Sequence, residues 1–265
     1  MELIDTHCHL DVAEFDPDRD AVLARARAAG VVAVVIPAIH RAGWPWLLQY
    51  CASQPGLHPA LGLHPVYLDA HGADDVRALE SAIAERRPLA VGEIGLDYFV
   101  RDLDRKRQQD LFESQLAIAR AADLPVLLHV RRAHEQALAT LRRARVRGGI
   151  AHAFSGGIEE ARRYLDLGFK LGFGGMLTFE RSNRLRRLAA ALPVESLVLE
   201  TDAPDLTVAA HRGGRNSPEY LPDVLAALAE VRQADPAELA AITTTNARAV
   251  LGLPRGEAWT GAGAA

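Results

Sequence analysis

Eight short apolar runs alternate with longer amphipathic stretches along the chain, and this alternation constrains the fold more than any other feature. Each run is rich in Val, Ile and Leu and is bounded by Gly, Pro or a charged residue, as buried parallel strands are. The eight runs are ELIDTH, VVAVVIP, LHPALGL, PLAVGE, LPVLLH, GGIAH, FKLGFG and SLVLETD. We predict that each run forms one strand of a parallel sheet.

The stretches between the runs predict helices. DPDRDAVLARARAAG has Pro17 near its start and Gly30 at its end, and both residue types favour these ends of a helix. DRKRQQDLFESQLAIARAAD, GIEEARRYLDLG and PEYLPDVLAALAEVR repeat apolar residues at helical spacing. Strand and helix therefore alternate throughout the chain.

This alternation predicts an α/β protein with a single (β/α)8 TIM-like barrel, whose usual length is about 250 residues. A doubly wound open sheet is the main alternative. No low-complexity linker divides the chain, so we expect one domain over residues 1–251. Residues 252–265 are rich in Gly and Ala and predict a flexible C-terminal tail.

The composition of the chain indicates which partners and which cellular compartment to expect. The net charge of −4 argues against a protein that coats nucleic acid. Two cysteines, Cys8 and Cys51, form no disulfide framework, and neither a signal peptide nor a membrane-spanning run is visible. We expect a cytoplasmic protein without membrane contacts, and a monomer rather than an obligate oligomer.

Residues that can bind metals stand at the ends of the predicted strands. His7 and His9 are two apart, so on a strand both rings would point to one face and Cys8 to the other. The later strand ends carry His64, Glu93, His129, His152, and the pair Glu200 and Asp202. In a barrel the carboxyl ends of the strands converge on the active site, so these side chains should meet there.

This set of side chains is chemically coherent. Neutral imidazoles and carboxylates suit Zn²⁺ or Mn²⁺, and carboxylates also admit Mg²⁺. Four of these five histidines and two of these three carboxylates already exceed the needs of one tetrahedral ion, whereas two divalent ions that share a bridging carboxylate would use all six. We favour Asp202 as a metal ligand and proton acceptor, with Glu200 supporting the site from behind.

Seven motifs together resemble one family. DTHCHLD, GLHP, VGEIGLDY, LPVLLHVRRA, HAFSGG, GFGG and LETDAPDL occur in this order between Leu3 and about Leu251. Together they look like the TatD family of metal-dependent deoxyribonucleases, within the amidohydrolase-like barrels. The resemblance implies a two-metal phosphodiesterase on a TIM-like barrel. It is weakest at Asp205 and in the loop that follows.

The resemblance also implies roles for individual residues. One ion would be held by His7, His9, Glu93 and Asp202. The second would be held by Glu93, His129 and His152, so that Glu93 bridges the two. His64 would lie near the substrate or behind the ligands, and Arg131 near a substrate phosphate.

Other polar residues carry less specific predictions. Asp97 would orient a ligand, contact substrate, or cap the next helix. We expect the histidines outside the motifs to be solvated, namely His40, His58, His71 and His134. Two arginine runs predict solvated helix faces: Arg142, Arg143, Arg145 and Arg147, and Arg184, Arg186 and Arg187.

The sequence thus predicts a divalent-metal-dependent hydrolase of ester bonds, acting on DNA as a deoxyribonuclease, with 3′–5′ exonuclease action as one form. Asp202 and Glu93 would be its catalytic residues. One alternative is an amidohydrolase, but its relatives often bridge two ions with a carbamylated Lys where this chain has Glu93. An aminoacyl-tRNA ester hydrolase would use the same site. A metal-bound scaffold or nucleic-acid-binding module is the non-enzymatic alternative, and the intact ligand set argues against it.

Overall fold

Eight parallel strands form one sheet in the order in which they occur along the chain. The structure is a computed structural model, and it describes residues 1–253. The strands are Leu3–Asp5 (β1), Val31–Pro37 (β2), Leu57–Leu61 (β3), Ala90–Asp97 (β4), Val126–Arg131 (β5), Gly149–Ala151 (β6), Phe169–Phe173 (β7) and Leu197–Leu199 (β8). Each pairs with the next in parallel. This order confirms the barrel and excludes the doubly wound sheet, whose strand order reverses at its centre.

The barrel is closed between β1 and β8 by residues at the ends of the two strands and just beyond them. Thr6 N donates to the carbonyl of Leu199 at 3.0 Å, and Asp202 N donates to the carbonyl of His7 at 2.8 Å. Both strands are shorter than predicted, because the last residues of the runs ELIDTH and SLVLETD do not belong to β1 and β8. The backbone therefore turns over the mouth of the barrel at the place where the polar motifs begin.

Nine α-helices within residues 1–253 accompany the strands. They are Arg19–Ala28 (α1), Trp44–Ser53 (α2), Asp75–Arg86 (α3), Arg105–Ala122 (α4), His134–Ala144 (α5), Ile158–Asp166 (α6), Asn183–Ala191 (α7), Leu221–Arg232 (α8) and Pro236–Leu251 (α9). The four helices predicted from amphipathic spacing are confirmed as α1, α4, α6 and α8, with shorter ends. Short 3₁₀ turns complete several connections, including Pro218–Tyr220 before α8.

The core consists of two layers that follow the alternation of side chains along each strand. On β2, Val34 and Ile36 face the surrounding helices, while Ala33 and Val35 face the barrel interior. Helix α9 packs against β1, β6, β7 and β8 and contributes Leu251 to the interior layer. Apolar residues therefore fill the amino end of the barrel, and the polar motifs are left at the carboxyl end.

Part of the predicted tail adjoins this interior layer. Leu253 is 7% exposed and packs with it. Residues 254–265, which make up most of the predicted tail, lie outside the described residues. Within residues 1–253, no helix combines the length and the apolar character that crossing a membrane requires.

Candidate metal centre

The two histidines of the first motif lie side by side at the mouth of the barrel, just past the end of β1. Their Nε2 atoms are 3.3 Å apart, and the two rings meet edge to face. Cys8 between them is fully buried in the outer core, which confirms that it points away, and burial raises the pKa of its thiol well above the usual value. The sequence predicted that these residues lie on a strand. In the structure they lie beyond the end of β1, but their side chains still alternate between the cluster and the outer core.

Asp5 fixes this segment to the end of β8. Its carboxylate accepts hydrogen bonds from Thr201 N at 2.9 Å, from Thr201 Oγ1 at 2.6 Å and from His7 N at 3.3 Å. Burial outweighs these bonds and raises the pKa of Asp5 to about 7. Asp5 therefore holds the first and last strand ends together and orients the backbone that carries His7.

Glu93 stands at the centre of the cluster and presents a different oxygen to each side. Oε2 lies 3.1 Å from His7 Nε2 and 3.4 Å from His9 Nε2. Oε1 lies 3.0 Å from His129 Nδ1 and 3.8 Å from His152 Nε2. Burial alone would raise its pKa, but the surrounding imidazoles hold it well below the usual range. A shift in the register of β4 between Val91 and Ile94 accompanies this inward placement.

Asp202 faces the same cluster from beyond β8. Its Oδ1 is 3.8 Å from Nε2 of both His7 and His9, and its Oδ2 is 3.8 Å from His152 Nε2. The backbone of Asp202 is left-handed, with φ of 59°, a conformation that Asp tolerates better than most residues. Burial raises its pKa to about 6, although the positive charges of His152 and His9 act to lower it.

Two carboxylates orient the imidazoles from outside the cluster. Glu200 Oε1 lies 3.1 Å from His152 Nδ1 and accepts from Ala153 N at 2.6 Å. Asp97 Oδ2 lies 3.0 Å from His129 Nε2. In each pair a proton on the outer ring nitrogen directs the lone pair of the other nitrogen into the cluster, as histidine ligands of metals require.

Of the roles predicted for Asp97, the structure supports orientation of a histidine. Besides His129, Asp97 Oδ1 accepts from Phe99 N at 2.8 Å and from Val100 N at 3.0 Å. Asp104, and not Asp97, caps helix α4. The bonds from His129 and the loop hold the pKa of Asp97 at about 2 although burial opposes this.

His64 also approaches Glu93, with Nε2 at 3.4 Å from Oε1, but its proton is placed differently. Its Nδ1 accepts a hydrogen bond from Val66 N at 3.1 Å. In the neutral ring the proton then resides on Nε2, which donates to Glu93 and has no lone pair for a metal. Burial lowers the pKa of His64 to about 4, so the ring is neutral at physiological pH. The geometry thus favours a supporting position behind the ligands.

The distances between donor atoms around His7 and His9 fit a divalent ion. Bonds of about 2.0–2.2 Å to a tetrahedral ion place neighbouring donor atoms about 3.3–3.6 Å apart. The Nε2 atoms of His7 and His9 lie 3.1–3.8 Å from each other, from Glu93 Oε2 and from Asp202 Oδ1. Three overlapping triads have donor atoms within 4.8 Å of one another: His7, Glu93 and His152; His7, His9 and Asp202; and His64, Glu93 and His129. So many buried nitrogen and oxygen lone pairs would repel one another at this spacing, and cations between them would remove that repulsion.

A cavity of about 870 Å³ opens beside the cluster. His129, His152, Glu200 and Asp202 form one part of its wall. Arg131 lines it as well and is exposed, with its guanidinium 3.6 Å from the centre of the Phe99 ring. The volume lies toward the upper end of the range of about 300–1,000 Å³ for ligand pockets.

Comparison with known proteins identifies the family. The family model described as TatD related DNase matches residues 4–252. The chain belongs to the TatD family. It is 41% identical over 255 residues to YjjV of Escherichia coli K12, described as an uncharacterized metal-dependent hydrolase, and the match covers 95% of this chain and 98% of the relative.

A solved structure and a second relative agree with this membership. The crystal structure of the Escherichia coli YjjV TatD homologue superposes with a TM-score of 0.91 at 40% identity, covering 95% of this chain and 98% of that one. A Klebsiella pneumoniae protein named 3′–5′ ssDNA/RNA exonuclease TatD is 33% identical over 258 residues, covering 95% of this chain and 98% of the relative. The protein described here, as a member of the TatD family, is accordingly a metal-dependent hydrolase.

Several polar residues lie elsewhere than predicted. His58 and His71 are 5% and 6% exposed, so the prediction that they are solvated is wrong. His58 alternates inward on β3, and His71 Nε2 pairs with the carbonyl of His64 at 2.9 Å. Arg184 and Arg187 are exposed on α7, as predicted, and they also line the cavity. Helical spacing could not predict that they line the cavity, because this depends on how the fold packs α7 beside the strand ends.

Proposed function

We propose that this TatD-family protein is a phosphodiesterase that holds two divalent ions and removes nucleotides from the end of a DNA strand. The observation that carries the proposal is the position of Glu93, whose Oε2 faces His7 and His9 while its Oε1 faces His129. A carboxylate placed in this way is suited to bridge a pair of ions, and such pairs recur in enzymes that cleave phosphodiesters.

The proposed ligand sets are those that the family resemblance implies, and the orientation of the rings supports them. One ion would be held by His7, His9, Glu93 and Asp202, and the other by Glu93, His129 and His152. Glu200 and Asp97 would hold His152 and His129 in the required tautomer, and His64 would donate to Glu93. Mg²⁺, Mn²⁺ and Zn²⁺ all accept these oxygen and nitrogen ligands.

When bound, the ions supply Lewis-acid stabilisation of the phosphoryl oxygens and lower the pKa of water. Asp202 would accept one proton from the attacking water at an oxygen of its carboxylate. The water oxygen forms a bond to phosphorus, the ester P–O bond breaks, and the leaving oxygen takes a proton from solvent. Glu93 would keep the two ligand groups at a constant separation throughout.

The choice of DNA rests on two supports. One relative is named as an exonuclease of single-stranded DNA and RNA. In this chain, Arg131 stands exposed on the cavity wall, where its guanidinium would pair with a phosphate of the substrate. A phosphodiester supplies such a partner at the bond that is cleaved, whereas an amide bond supplies none.

We also propose that the protein works as a monomer in the cytoplasm. Cys8 and Cys51 are both free and buried, which suits a reducing compartment. Size-exclusion chromatography with light scattering would test the monomer, and fractionation of cells would test the compartment.

The proposed function is tested by turnover of chelator-treated protein on 5′-labelled single- and double-stranded DNA, with Mg²⁺, Mn²⁺ or Zn²⁺ returned singly. We expect metal-dependent products that shorten from one end. Metal content measured by mass spectrometry should reach two ions per chain in the active form. Two bound ions without cleavage would disprove the substrate and leave the metal centre standing.

A further inference from the structure

Three arginines line the cavity beside the metal centre, and the proposed mechanism does not use them. Arg181 precedes helix α7, and Arg184 and Arg187 lie within it. All three are exposed. They share the cavity wall with His152 and Asp202, so a ligand that fills the cavity can contact both the arginines and the metal centre.

Within residues 1–253, no carboxylate forms an ion pair with any of these three arginines. Arg186 on the same helix differs, because it contacts Glu230 at 2.6 Å and does not line the cavity. Arg184 donates to the carbonyl of Ser155 at 3.0 Å and Arg187 to that of Asn183 at 3.3 Å. A guanidinium has five N–H donors, so each retains donors for an anion.

Apolar side chains lie in the same cavity. Met176 and Leu206 are 41% and 40% exposed, which places them among the few large hydrophobic residues on the described surface. A cavity that combines guanidinium groups with exposed apolar side chains matches a nucleotide, which carries a phosphate and a flat base, better than a small inorganic anion. The cavity volume of about 870 Å³ is also larger than one phosphate needs.

We propose that Arg181, Arg184 and Arg187 bind a phosphate of the substrate strand next to the one that is cleaved, while Met176 and Leu206 contact the adjoining base. The inference rests on the proposed function and makes it more specific. The enzyme would then prefer oligonucleotides to isolated phosphodiesters, since only a strand reaches the metal centre and α7 together.

The first test is binding without turnover. Fluorescein-labelled oligothymidylate is titrated into chelator-treated protein, and anisotropy is recorded at several salt concentrations. In the variant R181Q/R184Q/R187Q we expect about tenfold weaker binding, and a plot of log K against log salt that is shallower by about 0.7 for each phosphate that the variant no longer binds. The matched control is R142Q, an exposed arginine of α5 that does not line the cavity.

The second test uses the metal-loaded enzyme. A tetranucleotide and bis(p-nitrophenyl) phosphate, which has one phosphodiester only, are compared as substrates. We expect kcat/KM of the triple variant to fall at least tenfold further for the tetranucleotide than for the simple diester. A neutral methylphosphonate at the flanking linkage should slow the wild-type enzyme in the same way, without any change to the protein.

Equal affinity and salt dependence in the triple variant and the wild type would overturn the inference. So would full activity of the wild type on the methylphosphonate substrate. A wild-type protein that cleaves no phosphodiester would instead disprove the proposed function. The binding titration still decides between these cases, because it requires neither metal nor turnover.

Discussion

Gly172 on β7 lies directly against the carboxylate of Glu200, so close that a methyl group in place of its hydrogen would stand 2.1 Å from Oε2. Glu200 in turn holds His152 through Nδ1. The absence of a side chain at position 172 therefore provides the space in which the carboxylate orients a predicted metal ligand.

The variant Gly172→Ala should displace Glu200 and release His152. We expect metal affinity and turnover to fall by about 10–100-fold, the usual effect of losing a group that orients a ligand. Calorimetric titration of the metal-free protein measures the affinity. Gly43→Ala is the matched control, since its nearest neighbour is a His40 ring atom at 3.7 Å. Unchanged metal affinity in Gly172→Ala would argue against this role of Glu200.

His64 and His129 should respond differently to substitution. His129→Ala removes a lone pair from the cluster, so we expect about one ion fewer per chain. His64→Gln keeps a donor toward Glu93 and should retain the full metal content, with turnover lowered about tenfold at most. Inductively coupled plasma mass spectrometry of the dialysed proteins distinguishes the two. Loss of an ion from His64→Gln would make His64 a ligand.

Asp202→Asn should abolish metal-dependent turnover, because an amide binds a divalent ion weakly and accepts no proton from water. Loss of the proton acceptor alone accounts for about 10²–10⁴-fold. The barrel should remain folded, since the hydrogen bond from Asp202 N to His7 belongs to the backbone. Circular dichroism checks the fold alongside the rate. An Asp202→Asn enzyme with normal rates would refute both of its proposed roles.

His58 should make the stability of the barrel sensitive to acid. Burial and the charge of Arg248 lower its pKa from 6.5 to about 4, so the folded state disfavours the protonated ring. The stability that the neutral ring contributes is complete above pH 6.5 and is lost as the pH falls toward 4, by about 3 kcal/mol. Urea unfolding at pH 7 and pH 4 measures this loss.

The variant His58→Gln has no titrating group at this position and supplies the comparison. Its free energy of unfolding should decrease less between the two pH values than that of the wild type, by about 3 kcal/mol. Because both proteins contain the same metal-centre histidines, their titration cancels in the difference. Equal decreases would show that His58 is not the group responsible.

The location of the polar cluster could be predicted from the sequence because it depends on a strong periodic signal. Short apolar runs that end in His or carboxylate residues predict parallel strands, and the carboxyl ends of barrel strands must converge. His7, Glu93, His129 and His152 are accordingly found together. The bounds of β1 and β8 were less predictable, since apolar pattern does not show where a ladder ends and closing bonds begin.

The finer organisation depends on contacts between residues distant along the chain. Nothing local to His64 indicates that its ring approaches Glu93 with the proton-bearing nitrogen, because a tautomer depends on hydrogen-bond geometry. The environment of His58 depends likewise on the last helix, since α9 carries the Arg248 whose charge acts on the ring.

The alternation of strands and helices, the family, and the donor groups that are available to bind metal can all be read from the sequence, because they follow from residue type and spacing. The folded chain was needed to show which oxygen of Glu93 faces which histidines, that Gly172 makes room for Glu200, and that the arginines of α7 border the cavity. These relationships join residues from different strand–helix units. They are set by the closure of the barrel, which no local pattern encodes.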